Sequence, residues 1–332
     1  MKPPLISVLM PVYNCGQYVA EAVDSILNQT VIDFEFIIID DASTDSTVEI
    51  IRQYSDPRIT LVVKEANTGY TKSLNMGVSM ARGQFIARMD GDDVSLPERF
   101  AEQLNLFTSR PEVIVCGSCM TVIGTNGPIM FPETHTEISI ALLSSNPVAH
   151  PSVMIRSSSL KKFNYVPEKE PAEDYHLWTT LISEGQFYNI QKALIQYRLH
   201  DSQISSTKKE VQYKSFFDSR HELLRRLPYS KEKYDDLLTR KSLIPEISNS
   251  QDFIKASKWF SDLKKVNKNS GLFPEVAFDD QINHWMTNAA LGFFTNHLFQ
   301  LSTIPLLMYL PLNDVIRILK MHGKFLISKV TT

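Results

Sequence analysis

Two short, largely apolar runs open the chain, LISVLM at 5–10 and FEFIII at 34–39. Their length and β-branched content suit strands buried on both faces, as in a parallel sheet. Between them, residues 17–29 carry Val19, Ala22, Val23, Ile26 and Leu27 at helical spacing. Strand, helix and strand in that order make a βαβ unit with a right-handed crossover. Such a pair commits the chain to an α/β sheet, because both faces of a parallel sheet need covering.

The alternation continues with a helix at 46–54 (Ser43 or Asp45 as N-cap), a strand at 59–63, a helix at 71–80 and a strand at 84–89. Pro97 suits the first position of a further helix that runs to Phe107. Cys116-Gly-Ser-Cys119 has redox spacing, but VIVCGSCMTVIG reads as a strand, so its thiols are expected to be structural. With Cys15 the cysteines number three, which fits a reducing compartment better than a disulfide framework. From about Lys208 the texture becomes helical, at 213–227, 231–243 and 251–266. For 332 residues this suggests two parts, 1–205 and 206–332. A net charge of −3 offers no cationic excess for phosphates, so nucleic acid is not an expected partner. The N-terminal MKPPLISVLMPVYN lacks the long apolar core and cleavage site of a signal peptide. Nor is there an apolar run of about 18 residues; the nearest approach, LSTIPLLMYLPL at 301–312, carries two prolines.

Polar loops follow the strands: PVYN (11–14), DDASTD (40–45), NTGYTKSLN (67–75), RMDGDD (88–93), ED (173–174) and YRLH (197–200). In an open α/β sheet ligands bind beyond the carboxyl ends of the strands, so these loops are expected to converge on a site. The acids of RMDGDD repel one another, unless the turn is merely solvated or a cation sits among them. Carboxylate oxygens suit Mg²⁺ or Mn²⁺, and such an ion would neutralise a diphosphate. Gly91 lets the chain come close to a ligand.

Taken in order, these loops resemble glycosyltransferase family 2, inverting enzymes with the GT-A fold, over residues 4–205. The resemblance implies a mostly parallel central sheet flanked by helices, built to bind a nucleotide sugar. It implies Asp92 as a metal ligand and Asp90 as a ligand or ribose contact, with Gly91 between them; the part of Asp93 is left open. His200 would join the ion through a neutral imidazole, and Arg198 would close over the diphosphate, unless YRLH is a plain surface loop. Asp41 would accept the imide N–H of uracil, although Asp41, Ser43 and Asp45 also suit helix capping. Ala42 stands where the family commonly has Gly. Pro11, Tyr13 and Asn14 would line the base pocket, Tyr13 by stacking. Asn67, Gly69, Lys72 and Asn75 match a second nucleotide-side motif, with Lys72 near base or phosphate or simply on a solvated helix face. The pair Glu173-Asp174 would supply the general base, Asp174 taking the proton of the attacking acceptor hydroxyl. An acid at a helix start is also favoured by the dipole alone. His150, before Pro151, fits a family loop near the acceptor.

This resemblance implies an inverting, metal-dependent transfer of a hexose-type sugar from a nucleotide sugar, in particular a UDP-sugar, to a glycan or lipid-linked acceptor in surface polysaccharide synthesis. The setting it implies is cytoplasmic, or peripheral on the cytoplasmic face of a membrane. Processive members carry Gln-x-x-Arg-Trp after the base; none of Trp178, Trp259 or Trp285 sits in one, so one sugar per encounter is expected. An inactive nucleotide-sugar-binding scaffold is the alternative. A sugar nucleotidyltransferase would show a Gly-rich basic loop after the first strand, and a nicotinamide enzyme G-x-G-x-x-G; PVYNCGQY is neither. The C-terminal part lies outside the resemblance. Its segments 289–310, rich in Leu and Phe, and 315–330, with Arg317, Lys320, Lys324 and Lys329, suit either a packed or oligomerising helical subdomain or helices lying in a membrane interface.

Overall fold

The structure, a computed structural model, describes residues 2–200, 209–234, 237, 245, 247–296, 301–310, 315, 316, 318 and 320. It divides into two compact units, Met1–Arg220 and His221–Thr332, a boundary later than the change of texture near 205.

In the first unit β1 (Ile6–Val12) and β2 (Phe34–Asp40) pair in parallel, and every residue of both is buried. Helix α1 (Val19–Leu27) crosses between them and buries Val19, Ala22, Val23 and Ile26. β3 (Ile59–Val63) extends the sheet beside β2, and β4 (Phe85–Arg88) lies beside β1, both parallel. The connecting helices are α2 (Thr47–Ile51) and α3 (Tyr70–Met80). α2 is shorter than 46–54, and Asp45 Oδ1 fixes its start by accepting the Thr47 amide at 2.9 Å. α4 (Arg99–Ser109) begins after Pro97, with Glu98 at its N-cap, and α5 (His135–Ala141) and α6 (Ser157–Phe163) follow it along the chain.

Parallel character holds across these four strands and then gives way to a mixed sheet. β8 (Met154–Arg156) runs antiparallel between β4 and β6 (Val113–Val122). β9 (Gln186–Tyr197) runs parallel to β6, and the two-residue β5 (Val94–Ser95) pairs antiparallel with β9. The order is β3-β2-β1-β4-β8-β6-β9-β5, with β7 (Pro128–Ile129) hung on β6. Cys116 and Cys119 are free thiols buried in β6, as expected of structural residues. Val12 lies opposite Asp40 and Leu9 opposite Arg88, so the loops leaving β1, β2 and β4 emerge side by side at one sheet edge.

One close approach sets the entry to β4. The Gly83 amide donates to Ser7 Oγ at 2.8 Å, and a Cβ at Gly83 would stand 2.5 Å from Ser7 N and 2.7 Å from Ile6 C. Backbone of a central strand cannot yield, so Gly83→Ala is expected to cost about 1–3 kcal/mol, the range for overpacking. Chemical denaturation reads this as a lower midpoint with an unchanged slope.

The second unit is helical in its described residues. The helix Ser250–Ser270 starts at Asn249, whose Oδ1 accepts the Gln251 and Asp252 amides, and stops at Gly271 with a φ of 62°. It packs with Glu275–Asn296, and Phe253, Phe293, Phe294 and Leu306 share one apolar cluster. Most of segment 315–330 lies outside the described residues. Among the described residues no helix is long and apolar enough to cross a membrane.

Candidate active site

β1 runs out through Pro11 into the exposed turn at Tyr13 and Asn14. Asn14 takes a φ of 49°, a left-handed conformation that Asn tolerates better than most residues. Its amide donates to Ser43 Oγ at 2.9 Å, its Oδ1 accepts the Thr44 amide at 2.8 Å, and the Gly16 amide donates to Asp45 Oδ2 at 2.9 Å. These bonds stitch the loops after β1 and β2 together. Tyr13 stays 48% exposed, leaving its ring open to stack on a flat base. Ala42 has a φ of 62°, which explains physically why glycine suits that position.

Asp40 and Asp41 are both buried. Asp40 Oδ2 accepts the Ser43 amide at 2.9 Å, while its Oδ1 has no hydrogen-bond partner. Asp41 Oδ1 accepts from Lys64 Nζ and from the Thr68 amide at 3.0 Å, and Oδ2 from the Gly69 amide at 3.0 Å. A carboxylate offers about four lone-pair sites, so Asp41 keeps roughly one, on Oδ2, for a ligand. Its main commitment is to the loop 64–69, and helix capping falls to Asp45 instead. Lys64 also donates to Ser73 Oγ at 3.0 Å, and its side chain is 9% exposed. Lys64→Met leaves the Asp41 carboxylate buried without its cation, a change that typically costs about 3–5 kcal/mol. A thermal melt is expected to show that loss, and titration to show weaker nucleotide binding.

Gly69 enters α3 with a φ of 95°, and a Cβ there would come 3.0 Å from Glu170 Oε2. Asn67 Oδ1 accepts the same Gly69 amide at 3.2 Å, and Lys72 is exposed on the helix. Asn75 is committed elsewhere. Its Nδ2 donates to Tyr165 O at 2.8 Å, and its Oδ1 accepts the Tyr165 amide at 2.9 Å. Both ends of that side-chain amide are occupied by backbone of the first unit.

Beyond β4 stands the acidic loop. Asp90, Asp92 and Asp93 each place a carboxylate oxygen within 4.8 Å of the others. Asp93 is fully buried; its Oδ1 accepts the Arg198 amide at 2.9 Å and its Oδ2 has no partner. Asp92 Oδ2 lies 2.9 Å from His200 Nε2, and Asp90 Oδ2 accepts from the Arg88 guanidinium. Burial, with Asp92 adding, pushes the Asp90 carboxyl up to about 6 despite Arg88. Burial, then Asp90 and Asp92, lifts Asp93 well above the usual carboxylate range. An orphaned buried acceptor among clustered hard oxygens fits a divalent Mg²⁺ or Mn²⁺, which would satisfy it. Gly91 is required by packing, since a Cβ there would lie 2.9 Å from both Cys15 Sγ and Val12 Cγ1.

Arg198 braces this loop. Its Nε donates to Asp92 O at 2.8 Å, its terminal nitrogen pairs with Glu21, and its guanidinium lies 4.8 Å from the Tyr18 ring centroid. These contacts tie Arg198 to the acidic loop and to α1.

The acid pair opens α7 (Glu173–Leu181). Its two members occupy different surroundings. Glu173 is 2% exposed, with Oε2 accepting from the Tyr70 hydroxyl and Oε1 3.6 Å from His150 Nδ1. Asp174 is half-buried; its Oδ2 accepts Asn146 Nδ2 at 2.8 Å and its Oδ1 the Tyr175 amide at 2.6 Å. Burial raises Asp174 above the usual carboxylate range, and its charge in turn raises Asp90. The base candidate and the acidic loop therefore lie within electrostatic reach of each other.

The profile described as Glycosyl transferase family 2 matches residues 7–166. The O-antigen biosynthesis glycosyltransferase WbnJ of Escherichia coli is 32% identical over 209 residues, which span 59% of this chain and 80% of that protein. The chain belongs to glycosyl transferase family 2. Among solved structures, this family 2 chain is similar to Staphylococcus aureus TarS 1-349 in complex with UDP-GlcNAc, at a TM-score of 0.57 and 18% identity over 89% of this chain and 93% of that one. It is also similar to the mannosyltransferase PcManGT of Pyrobaculum calidifontis in complex with GDP-Man and Mn2+, at 0.53 and 16% over 96% and 88%. At such identities the likeness is one of fold, and the fold is GT-A.

Several residues around the candidate site escape sequence reasoning. Arg88 is 6% exposed, bonds Asp90, and acts electrostatically on Glu173 and Asp174. Its place, a cation at a strand end beside three acids, was the available signal. Lys64, Asn146 and Tyr165 carry no local signal; only the folded chain brings them to the acids.

Proposed function

We propose that this family 2 protein transfers a hexose-type sugar from a nucleotide sugar, in particular a UDP-sugar, to a hydroxyl of a glycan or lipid-linked acceptor in surface polysaccharide synthesis. One observation carries the reading: three clustered acidic side chains with an orphaned acceptor lie within electrostatic reach of a half-buried, hydrogen-bonded carboxylate. Tyr13 and the remaining acceptor site on Asp41 receive the base, with Asn14 holding the two loops around it. The Thr68 and Gly69 amides fix Asp41, and Gly69 opens α3 with Lys72 exposed near its start. Asp90, Asp92, Asp93 and His200 would hold Mg²⁺ or Mn²⁺, and when bound the ion supplies positive charge to the departing diphosphate. Asp174 accepts the acceptor hydroxyl proton as that oxygen attacks the anomeric carbon and the sugar–phosphate bond breaks. Single displacement needs no covalent nucleophile and inverts the anomeric centre. The TarS complex with UDP-GlcNAc and the PcManGT complex with GDP-Man and Mn2+ support a nucleotide-sugar donor with a divalent ion. The O-antigen role of WbnJ supports the polysaccharide setting. A cytoplasmic site of action, at or near a membrane face, fits the free thiols and the use of a nucleotide sugar.

The test is transfer from a panel of UDP- and GDP-sugars with Mn²⁺, product configuration being read by NMR coupling at the anomeric proton. Retention of configuration, or no turnover with any donor while nucleotide still binds, would sink the proposal and favour a nucleotide-binding scaffold.

A further inference from the structure

The acid pair adjoins a line of polar groups, buried or half-buried, that begins and ends on α3. Tyr70, the first residue of α3, donates to Glu173 Oε2. Glu173 Oε1 faces His150 Nδ1 at 3.6 Å, and His150 Nε2 meets the Tyr165 hydroxyl at 2.9 Å. Tyr165 is held by its backbone to Asn75, back on α3. His150 also lies edge-on to Trp178, ring centroids 5.9 Å apart, which walls the line from below. Glu173, His150 and Tyr165 are each buried, whereas Asp174 is half-exposed.

Two adjacent carboxyls in one poorly hydrated place do not both ionise cheaply. The surroundings decide which one keeps the proton. Asp174 accepts two N–H bonds, from Asn146 and Tyr175, and both favour its ionised form. Glu173 is the deeper of the two and has a ring nitrogen, His150 Nδ1, beside its second oxygen. We infer that Glu173 holds its proton at neutral pH and acts as a positioning residue, fixed by Tyr70, His150 and Tyr165, so that Asp174 alone stands ionised at the start of α7. This rests on reading Asp174 as the base.

The groups facing Glu173 are Tyr70 on α3, Arg88 on β4, His150, Tyr165 and its neighbour Asp174, with Glu170 and Asp90 farther out. Arg88 and the Tyr70 hydroxyl favour the charged form; burial and Asp174 oppose it and prevail, lifting Glu173 to about 8. Burial holds His150 well below its ordinary value, with Arg88 adding, so its imidazole is neutral and has one nitrogen free to accept. Glu173 is therefore neutral below about 8 and ionises above it. Ionisation places a second negative charge against Asp174, and kcat is expected to fall on that limb.

Infrared difference spectra of the free protein test this without any turnover. The expected result, in the wild-type minus Glu173→Gln difference that cancels the other protonated carboxyls such as Asp93, is a carbonyl band present at neutral pH that fades as pH rises through about 8. Absence of that band from the difference spectrum overturns the inference whatever the donor proves to be. In kinetics, Glu173→Gln fixes the neutral form, so transfer at neutral pH should stay within about tenfold of wild type and the alkaline fall should vanish, while loss of a true base costs roughly 10²–10⁴. Tyr70→Phe removes a donor that favours the charged form and should move the limb to higher pH. A loss in Glu173→Gln as deep as that in Asp174→Asn, with the folded state intact by circular dichroism, makes Glu173 a reacting group and refutes the positioning role. An alkaline limb that Glu173→Gln leaves in place refutes it equally.

Discussion

Asp174→Asn transfers sugar at a rate lower by roughly 10²–10⁴, the span that general-base catalysis contributes, yet binds UDP with wild-type affinity. The substitution keeps the shape of the side chain and its place at the first turn of α7, and it removes the one half-exposed carboxylate of the acid pair. Asn146 Nδ2 and the Tyr175 amide each donate to one carboxylate oxygen now; the variant has a single acceptor oxygen, so it keeps one of these bonds and gives up the other, a local loss of about 0.5–1.5 kcal/mol that leaves the fold intact. The loss should appear in kcat, with the affinity for nucleotide unmoved, because an interaction made only as the proton leaves the hydroxyl does not contribute to ground-state binding. Single-turnover kinetics and calorimetric UDP titration measure the two halves. Near-wild-type transfer would remove Asp174 from the chemistry.

Asp92→Ala shows the opposite division. The variant loses the part of UDP affinity that depends on Mn²⁺ or Mg²⁺, and with it turnover. Asp92 contributes an oxygen to the cluster and is the residue that meets His200 Nε2, so its removal takes away a ligand and leaves His200 without the acid that orients it. Losing an outer partner of a metal ligand commonly costs about 10–100-fold in metal affinity, and losing a ligand is expected to cost more. Titration of UDP with and without the ion separates this from general damage: metal-free affinity should match wild type. Unchanged metal-dependent affinity would move the ion elsewhere.

The parts of this molecule that could be read from the sequence are those fixed by local pattern. LISVLM and FEFIII became β1 and β2 because runs that short and that apolar have nowhere to go but the middle of a parallel sheet. Sheet logic then placed PVYN, DDAS and RMDGDD at one edge. The mixed half was less legible. β8 is three residues long and β5 two, too short for any periodicity, and each exists only because a distant strand offers its edge.

Side-chain commitments were the least legible of all. Asn75 sits in a motif that points to nucleotide, and its amide is held by Tyr165, 90 residues away. Asp41 has the position expected of a base reader, but Lys64 and two amides hold most of its acceptor capacity. Glu173 and Asp174 are neighbours in sequence with equal claim to reactivity, and burial together with their hydrogen-bond partners tells them apart. A pattern shows which chemistry is at hand; tertiary contacts decide which atom performs it.

The grip of Arg198 on the acidic loop has a consequence for synthesis of the chain. Asp93 and Arg198 are 105 residues apart, and the loop is braced by two bonds from Arg198, the residue that follows β9, the last strand of the first unit. β1 to β4 can assemble as the ribosome delivers them, since domains fold N-terminal first. The cluster of Asp90, Asp92 and Asp93 cannot reach its final geometry until β9 has emerged. A nascent or truncated chain ending before Arg198 therefore has β1 to β4 without the two bonds that brace Asp92 and Asp93, so the acidic loop is completed late in synthesis.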